Sequence, residues 1–148
     1  MKKAAGSSWH ETQIRVRYPE VDPQGVVHHA VYLHYFEAGR TEMLRQLGIP
    51  YRLVEKEGTM LVVTESQLRY LKGTRYDEVL TVRTRVDGLS RVRIFLSYQI
   101  LKEGTGEIAC EGSTTLASID VNGRPRALPE LLTSKLSRCA EHQEQQGQ

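Results

Sequence analysis

Residues 15–48, RVRYPEVDPQGVVHHAVYLHYFEAGRTEMLRQLG, constrain this chain more than any other stretch. They read as a strand, a sharp turn containing Asp-Pro, two valines and two histidines, and then the longest helical pattern in the sequence. Gln13 to Tyr18 alternates, with Ile14, Val16 and Tyr18 on one face, as in a half-buried strand. Pro19 ends it, because proline cannot donate to a ladder. Glu20 to Gly25 is a turn: Asp22 precedes Pro23, and Gly25 adopts backbone angles that other residues resist. From Ala30 to Leu47 the pattern is helical, with Leu33, Phe36, Met43, Leu44 and Leu47 at three- and four-residue spacing and Arg40 interrupting the stripe. Ala38 and Gly39 are small enough for another element to come close. Glu37 with Arg40, and Glu42 with Arg45, are spaced to pair on the outer side. Gly48-Ile49-Pro50 stops the helix, and a short helix from Pro50 to Glu57 follows, closed by Gly58. An acid held in a turn just ahead of a helix lies beside backbone N–H groups that have no intrahelical partner.

Beyond this stretch the signal changes to strands. Met60 to Leu71, Val79 to Val86, Val92 to Leu101 and Glu107 to Ile119 are rich in Val, Ile, Leu, Thr or Tyr. Lys72-Gly73, Asp87-Gly88, Glu103-Gly104 and Asn122-Gly123 supply turn chemistry between and after them. Short connections imply antiparallel neighbours, and the links from Val79 onward read as a meander. Pro129 opens a final short helix, about Glu130 to Ala140. The lead-in Met1 to Glu11 reads as flexible, and the polar, Gln-rich tail Glu141 to Gln148 as disordered. The sum is an α+β fold: one long helix covered by one long, curved antiparallel sheet. With no repeat and no linker, residues 1–148 read as a single domain.

Composition narrows the functional classes. A net charge of +2 gives no case for nucleic acid as a partner. Arg69, Lys72, Arg75, Arg83, Arg85, Arg91 and Arg93 cluster locally; they read either as the solvated face of a sheet or as a site for a phosphate-bearing ligand. Cys110 and Cys139 are too few for a disulfide framework and lack metal-ligand spacing, so no metal site is expected. Cys110 reads as core. The N-terminus has no apolar signal-peptide core, and no apolar run is long enough to span a membrane. The expected compartment is the cytoplasm.

Four pieces of the chain carry a family resemblance. The first is Arg15/Arg17-Tyr18 followed by Asp22-Pro23-Gln24-Gly25-Val26-Val27-His28-His29. The second runs from Tyr32 to Arg45. The third is Tyr70 followed by Arg75-Tyr76-Asp77-Glu78 and Leu80. The fourth is Pro125-Arg126-Ala127-Leu128-Pro129. Together they resemble the YbgC-like acyl-CoA thioesterases, in the 4-hydroxybenzoyl-CoA thioesterase branch of the hotdog-fold superfamily. The match covers about residues 12 to 138. Val21 stands where the family often has Thr or Cys, and His28 where Tyr is common; these departures bear on substrate preference.

The resemblance implies a hotdog fold and hydrolysis of acyl-CoA to a free acid and CoA. It makes Asp22 the catalytic carboxylate, acting as nucleophile or as general base on water. Backbone N–H groups at His29 and Ala30 would form the oxyanion hole, where one donor is typically worth about 3 kcal/mol of barrier. The His29 side chain would assist proton transfer or orient the acyl group, and Tyr18 would line the same pocket. Gly25, Val26 and Val27 would contact substrate, and Arg75 and Arg91 the CoA phosphates. Glu37 and Thr41 are weaker candidates along the helix. No cofactor is implied, since CoA is part of the substrate. Hotdog domains pair edge to edge, so the resemblance implies a homotetramer built as a dimer of dimers.

Plainer readings stand beside these. Asp22 alone would be a turn-capping residue; the string around it points to catalysis. His29 could simply pack at the helix start, His28 and His34 read as structural, and Tyr18, Tyr32 and Tyr35 as core or interface. Acyl-acyl carrier protein hydrolysis and a non-enzymatic acyl-binding or scaffold role are the alternatives. The acyl group, whether short or long aliphatic, benzoyl or naphthoyl, is not legible.

Overall fold

In the computed structural model of the chain, which describes residues 9–146, all five strands join one antiparallel sheet. The elements are β1 (His10–Arg15), α1 (Val31–Gln46), α2 (Tyr51–Lys56), β2 (Met60–Tyr70), β3 (Val79–Leu89), β4 (Arg93–Lys102), β5 (Ile108–Ile119) and α3 (Glu130–Gln146). The strand order is β1-β3-β4-β5-β2. Inward residues of β3 to β5, such as Leu80, Val82, Leu96, Ile100 and Leu116, alternate with more exposed ones. This period of two gives the sheet one apolar face. α1 and α3 cover that face, with Phe36, Met43, Leu132 and Leu136 almost fully buried.

The first strand sits earlier than the alternation predicts. It begins at His10, inside the expected lead-in, and ends at Arg15. Val16 is buried, but Pro19 sits in a 3-10 turn over Tyr18–Glu20, and this rotates Tyr18 outward to 74% exposure. The long helix keeps nearly its predicted bounds with a shifted buried stripe: Tyr32, Tyr35, Phe36, Gly39, Met43 and Leu44 face in, while Leu33 is 40% exposed. The two tyrosines can be buried because each hydroxyl has a partner. The Glu37–Arg40 pair forms at 3.7 Å, and Glu42 pairs with Arg45.

The break at Lys72-Gly73 is not a hairpin. β2 lies at one edge beside β5, separated from β3 by two strands. The chain from 71 to 78 instead passes the start of α1, where Thr74 O accepts from Val27 N–H at 2.8 Å. β3 also outruns its predicted end. A bulge between Val86 and Gly88 absorbs the Asp87-Gly88 pair, and the turn falls after Leu89. The final helix continues to Gln146, through most of the tail expected to be disordered; its Glu and Gln residues are good helix formers. The flexible lead-in expected over residues 1–8 lies outside the described residues.

Two glycines set how closely α1 approaches the sheet. A Cβ at Gly39 would meet Thr84 Oγ1 at 2.5 Å and Val82 Cγ1 at 2.6 Å. One at Gly112 would meet Gln67 O at 2.2 Å and the Phe36 ring at 2.9 Å. That space lets Phe36 stack on Tyr98, with centroids 4.2 Å apart and planes 5° from parallel. Gly39→Ala is expected to lower unfolding free energy by about 1–3 kcal/mol, the usual cost of overpacking. A Cβ at Gly104 would have nothing within 4 Å, so Gly104→Ala is the control. Equal urea midpoints for the two variants would refute the close-approach account.

Candidate active site

The loop ahead of α1 is built mostly from backbone hydrogen bonds. Asp22 N–H donates to Val26 O (2.9 Å) and Gly25 N–H to Asp22 O (2.8 Å). Gly25 has φ +83°, a left-handed angle that suits glycine. Gln24 N–H donates to Asp22 Oδ1 at 2.9 Å. This bond fixes the carboxylate within its own turn and leaves Oδ2 without a partner among the described residues. Val21 bridges Val27 across the loop, and His28 N–H donates to Glu20 O at 2.9 Å.

The helix start is not a row of free donors. Ala30 N–H donates to His28 Nδ1 at 3.1 Å, so the His28 imidazole caps it. Val31 N–H donates to His28 O at 2.9 Å. The amides of Val26 and His29 have no partner among the described residues. Both residues line a cleft of about 350 Å³ together with Asp22, Val27, Tyr32 and Tyr70. Asp22, Val26, Val27 and His29 thus meet in one cleft, beside the turn glycine Gly25.

Other sequence candidates fall elsewhere. Tyr18 does not line the cleft; its ring lies edge-on to Tyr76, with centroids 5.6 Å apart. Arg75 reaches the back of the loop, with Nη1 donating to Gly25 O at 3.5 Å. Arg91 lies past the opposite end of β3, about 35 Å away along an eleven-residue strand, so one chain does not bring it to Arg75. Arg69 pairs with Glu111 at 3.5 Å; Lys72, by contrast, does line the Asp22 cleft and pairs with Glu107 at 3.7 Å. Glu37 and Thr41 line a separate cavity farther along α1.

Five residues that hold the site were not singled out as site residues from sequence. Tyr32 OH and Thr74 Oγ1 share a buried hydrogen bond of 2.7 Å. Tyr70 OH donates to His29 O at 3.0 Å and fixes that residue's backbone from β2. Burial raises the pKa of both tyrosines, so both hydroxyls stay protonated. Glu20 Oε1 accepts from Tyr35 OH (2.8 Å) and Arg17 N–H (2.9 Å), and Oε2 accepts from Arg17 Nε (3.0 Å). Glu20 therefore ties the loop to α1 through its side chain and to His28 through its carbonyl. The Tyr32/Tyr35 pair at helical spacing was a sequence signal, read as core or interface. Nothing in sequence pointed to Thr74, which is 42 residues from Tyr32.

Cys110 is buried and its thiol is pushed up to about 12 by that burial, so it is no nucleophile near neutral pH. Among the described residues no cluster of three or more His, Cys, Asp or Glu could hold a metal ion. No helix among them is long and apolar enough to cross a membrane.

A curved antiparallel sheet around a long helix is the architecture of the hotdog thioesterase fold. The chain belongs to the thioesterase-like superfamily, whose family model matches residues 16–136. It is similar to the chloroplastic acyl-acyl carrier protein thioesterase ATL3 of Arabidopsis thaliana, 33% identical over 87% of this chain and 68% of that protein. It is also similar to the acyl-CoA thioester hydrolase YbgC of Escherichia coli, 27% identical over 82% of this chain and 91% of that protein. Among solved structures it resembles a DHNA-CoA thioesterase from Staphylococcus aureus, with TM-score 0.86, 31% identity and 95% of each chain covered.

Glu20 generates a pH prediction. Burial alone would raise its pKa, but the bonds from Arg17 N–H, Tyr35 OH and the Arg17 side chain outweigh that and hold it below the usual glutamate value. Its stabilisation is therefore full above the unfolded-state pKa of about 4.3 and is lost as pH falls through the lower folded-state value. Wild type should exceed Glu20→Gln in urea stability at pH 6, with the gap closing by pH 3. A gap that is constant with pH would remove Glu20 as the anchor.

Proposed function

We propose that this protein hydrolyses acyl-CoA thioesters to a free carboxylic acid and CoA, with Asp22 as the catalytic carboxylate. The observation that carries this reading is the Asp22 side chain, held by Gln24 N–H on the same cleft as the unpartnered His29 amide. A carbonyl oxygen that gains negative charge in the cleft can be received by His29 N–H, with Val26 N–H as a second donor. Ala30 is left out, because its amide is capped by His28. Near a helix start, the local dipole adds to the stabilisation.

Two routes lead from the carboxylate to products. In one, Asp22 Oδ2 attacks the thioester carbon, the CoA thiolate leaves, and water cleaves the resulting anhydride to regenerate the carboxylate. In the other, Asp22 takes a proton from water as that water attacks, and the proton ends on the departing thiolate. The His29 ring, on the same cleft, is placed to orient the acyl group or to pass that proton. Neither route calls on a cofactor, since CoA is part of the substrate. Tyr18 has no part in this scheme. The similarity to ATL3 favours a second reading, in which an acyl carrier protein delivers the thioester to the same carboxylate.

The assembly we propose is a dimer of dimers. β2 is an eleven-residue edge with one side unpaired among the described residues, and pairing with a second copy is one way to protect such an edge.

Asp22→Asn should lower thiol release from acyl-CoA by about 10²–10⁴-fold, the usual worth of a general base. Running acyl-CoA and acyl-acyl carrier protein side by side identifies the carrier. Undiminished turnover in a folded Asp22→Asn protein would place the chemistry elsewhere.

Arg75→Ala should raise KM for CoA esters with little change in kcat, because a cation that grips the phosphates from behind the Gly25 turn binds ground and transition states alike. Arg91→Ala should do so only if a neighbouring subunit brings Arg91 to the cleft. An unchanged KM in Arg75→Ala would exclude that residue from the site.

A further inference from the structure

Two peptide planes link His28, His29 and Ala30, and they are held differently. The first carries the His29 N–H, which has no partner among the described residues and belongs to the Asp22 cleft. Its carbonyl, His28 O, accepts from Val31 N–H at 2.9 Å. The second plane is held at both ends. Its carbonyl, His29 O, accepts from Tyr70 OH at 3.0 Å, and its amide, Ala30 N–H, donates to His28 Nδ1 at 3.1 Å. One hold comes from the edge strand, 41 residues away in sequence, and the other from the side chain next door.

A peptide unit is rigid and turns only through the backbone angles on either side of it. A plane pinned at its oxygen and at its nitrogen cannot turn without breaking one of the two bonds. The first plane shares residue 29 with it, so the direction of the His29 N–H is fixed by the same pair of bonds. The His28 ring also stacks on the His29 ring, with centroids 4.2 Å apart and planes 28° from parallel. A ring nitrogen that accepts a hydrogen bond carries no proton, so neutral His28 holds its proton on Nε2. His28 itself does not line the cleft, so it acts only through its neighbours.

We infer that His28 is a positioning residue for thioester hydrolysis: with Tyr70 at the other end of the same plane, it withholds the Ala30 amide from the oxyanion and aims the His29 amide at it. Donors that are already in place need no rearrangement when charge develops on the carbonyl oxygen. An Ala30 amide released from Nδ1 would free the plane and let the His29 donor drift. A cap that served the helix alone would add stability and leave the turnover of folded enzyme untouched.

This inference rests on the thioester hydrolase reading, and the test separates the two. Thiol release from hexanoyl-CoA and 4-hydroxybenzoyl-CoA is measured for wild type, His28→Phe, His28→Asn, Tyr70→Phe and Asp22→Asn. His28→Phe keeps a ring for the stack and loses the acceptor. His28→Asn loses the ring and keeps a side-chain oxygen able to cap a helix amide. His28 is exposed, so folding is at little risk. His28→Phe should lower kcat by about 10–100-fold with KM within about twofold, because a misaimed oxyanion donor is felt in the transition state. His28→Asn should recover most of that loss. Tyr70→Phe should lower kcat too, and the double variant should lose less than the product of the single losses, since either break already frees the plane. Hydrogen exchange gives a reading independent of turnover. The Ala30 amide of wild type should exchange more slowly than that of His29, and His28→Phe should remove the difference. Equal rates in wild type overturn the inference. So does wild-type kcat in folded His28→Phe, or an Asn variant as slow as the Phe one; with Asp22→Asn inactive, these leave the hydrolase reading standing. If wild type turns over neither ester nor any other acyl thioester, the hydrolase reading fails and the role of His28 falls with it.

Discussion

α1 can lie against β3 only because position 39 carries no side chain. The Cβ of any other residue would fall within 2.6 Å of both Val82 and Thr84. From that approach the rest follows. Phe36 reaches Tyr98 across the space left by Gly112 and stacks on it, and Tyr98 OH and Thr114 Oγ1 close the buried contact at 2.6 Å. The helix packs on β1 and β3, and at its start Tyr32 meets Tyr70 of the edge strand β2, with ring centroids 5.6 Å apart.

The Asp22 loop depends on the same helix. Its shape comes from backbone bonds and one glycine, but its position comes from Glu20 and Tyr35, which tie it to the buried face of α1. Tyr70 adds a hold from the far edge of the sheet, through the His29 carbonyl. The site is therefore a loop clamped between two elements that do not pair with each other. Preorganised amides are useful to an oxyanion for this reason: they need no rearrangement when charge develops.

The sequence was a good guide where chemistry is local. The Asp-Pro-Gln-Gly turn, the helix stop at Gly48-Ile49-Pro50 and most strand bounds follow from residue type and spacing. It misled where a neighbour decides the outcome. Leu33 fits the apolar period, but Tyr32 and Tyr35 are buried in its place because Thr74 and Glu20 satisfy their hydroxyls. Ala30 has the right place for a free donor, but a histidine two residues earlier caps it. Lys72-Gly73 has hairpin chemistry, yet its flanking strands are separated by two others.

By itself the sequence determined the family, the fold class and the stretch that holds the acid. Periodicity, turn residues and the string from Arg15 to Arg45 all act over a few residues at a time. Only the tertiary structure decided which amides are unpartnered, that Tyr18 turns away, and that Arg75 and Arg91 stand at opposite ends of β3. Each of these depends on groups tens of residues apart. They meet only after the sheet has chosen its strand order and the helix its side.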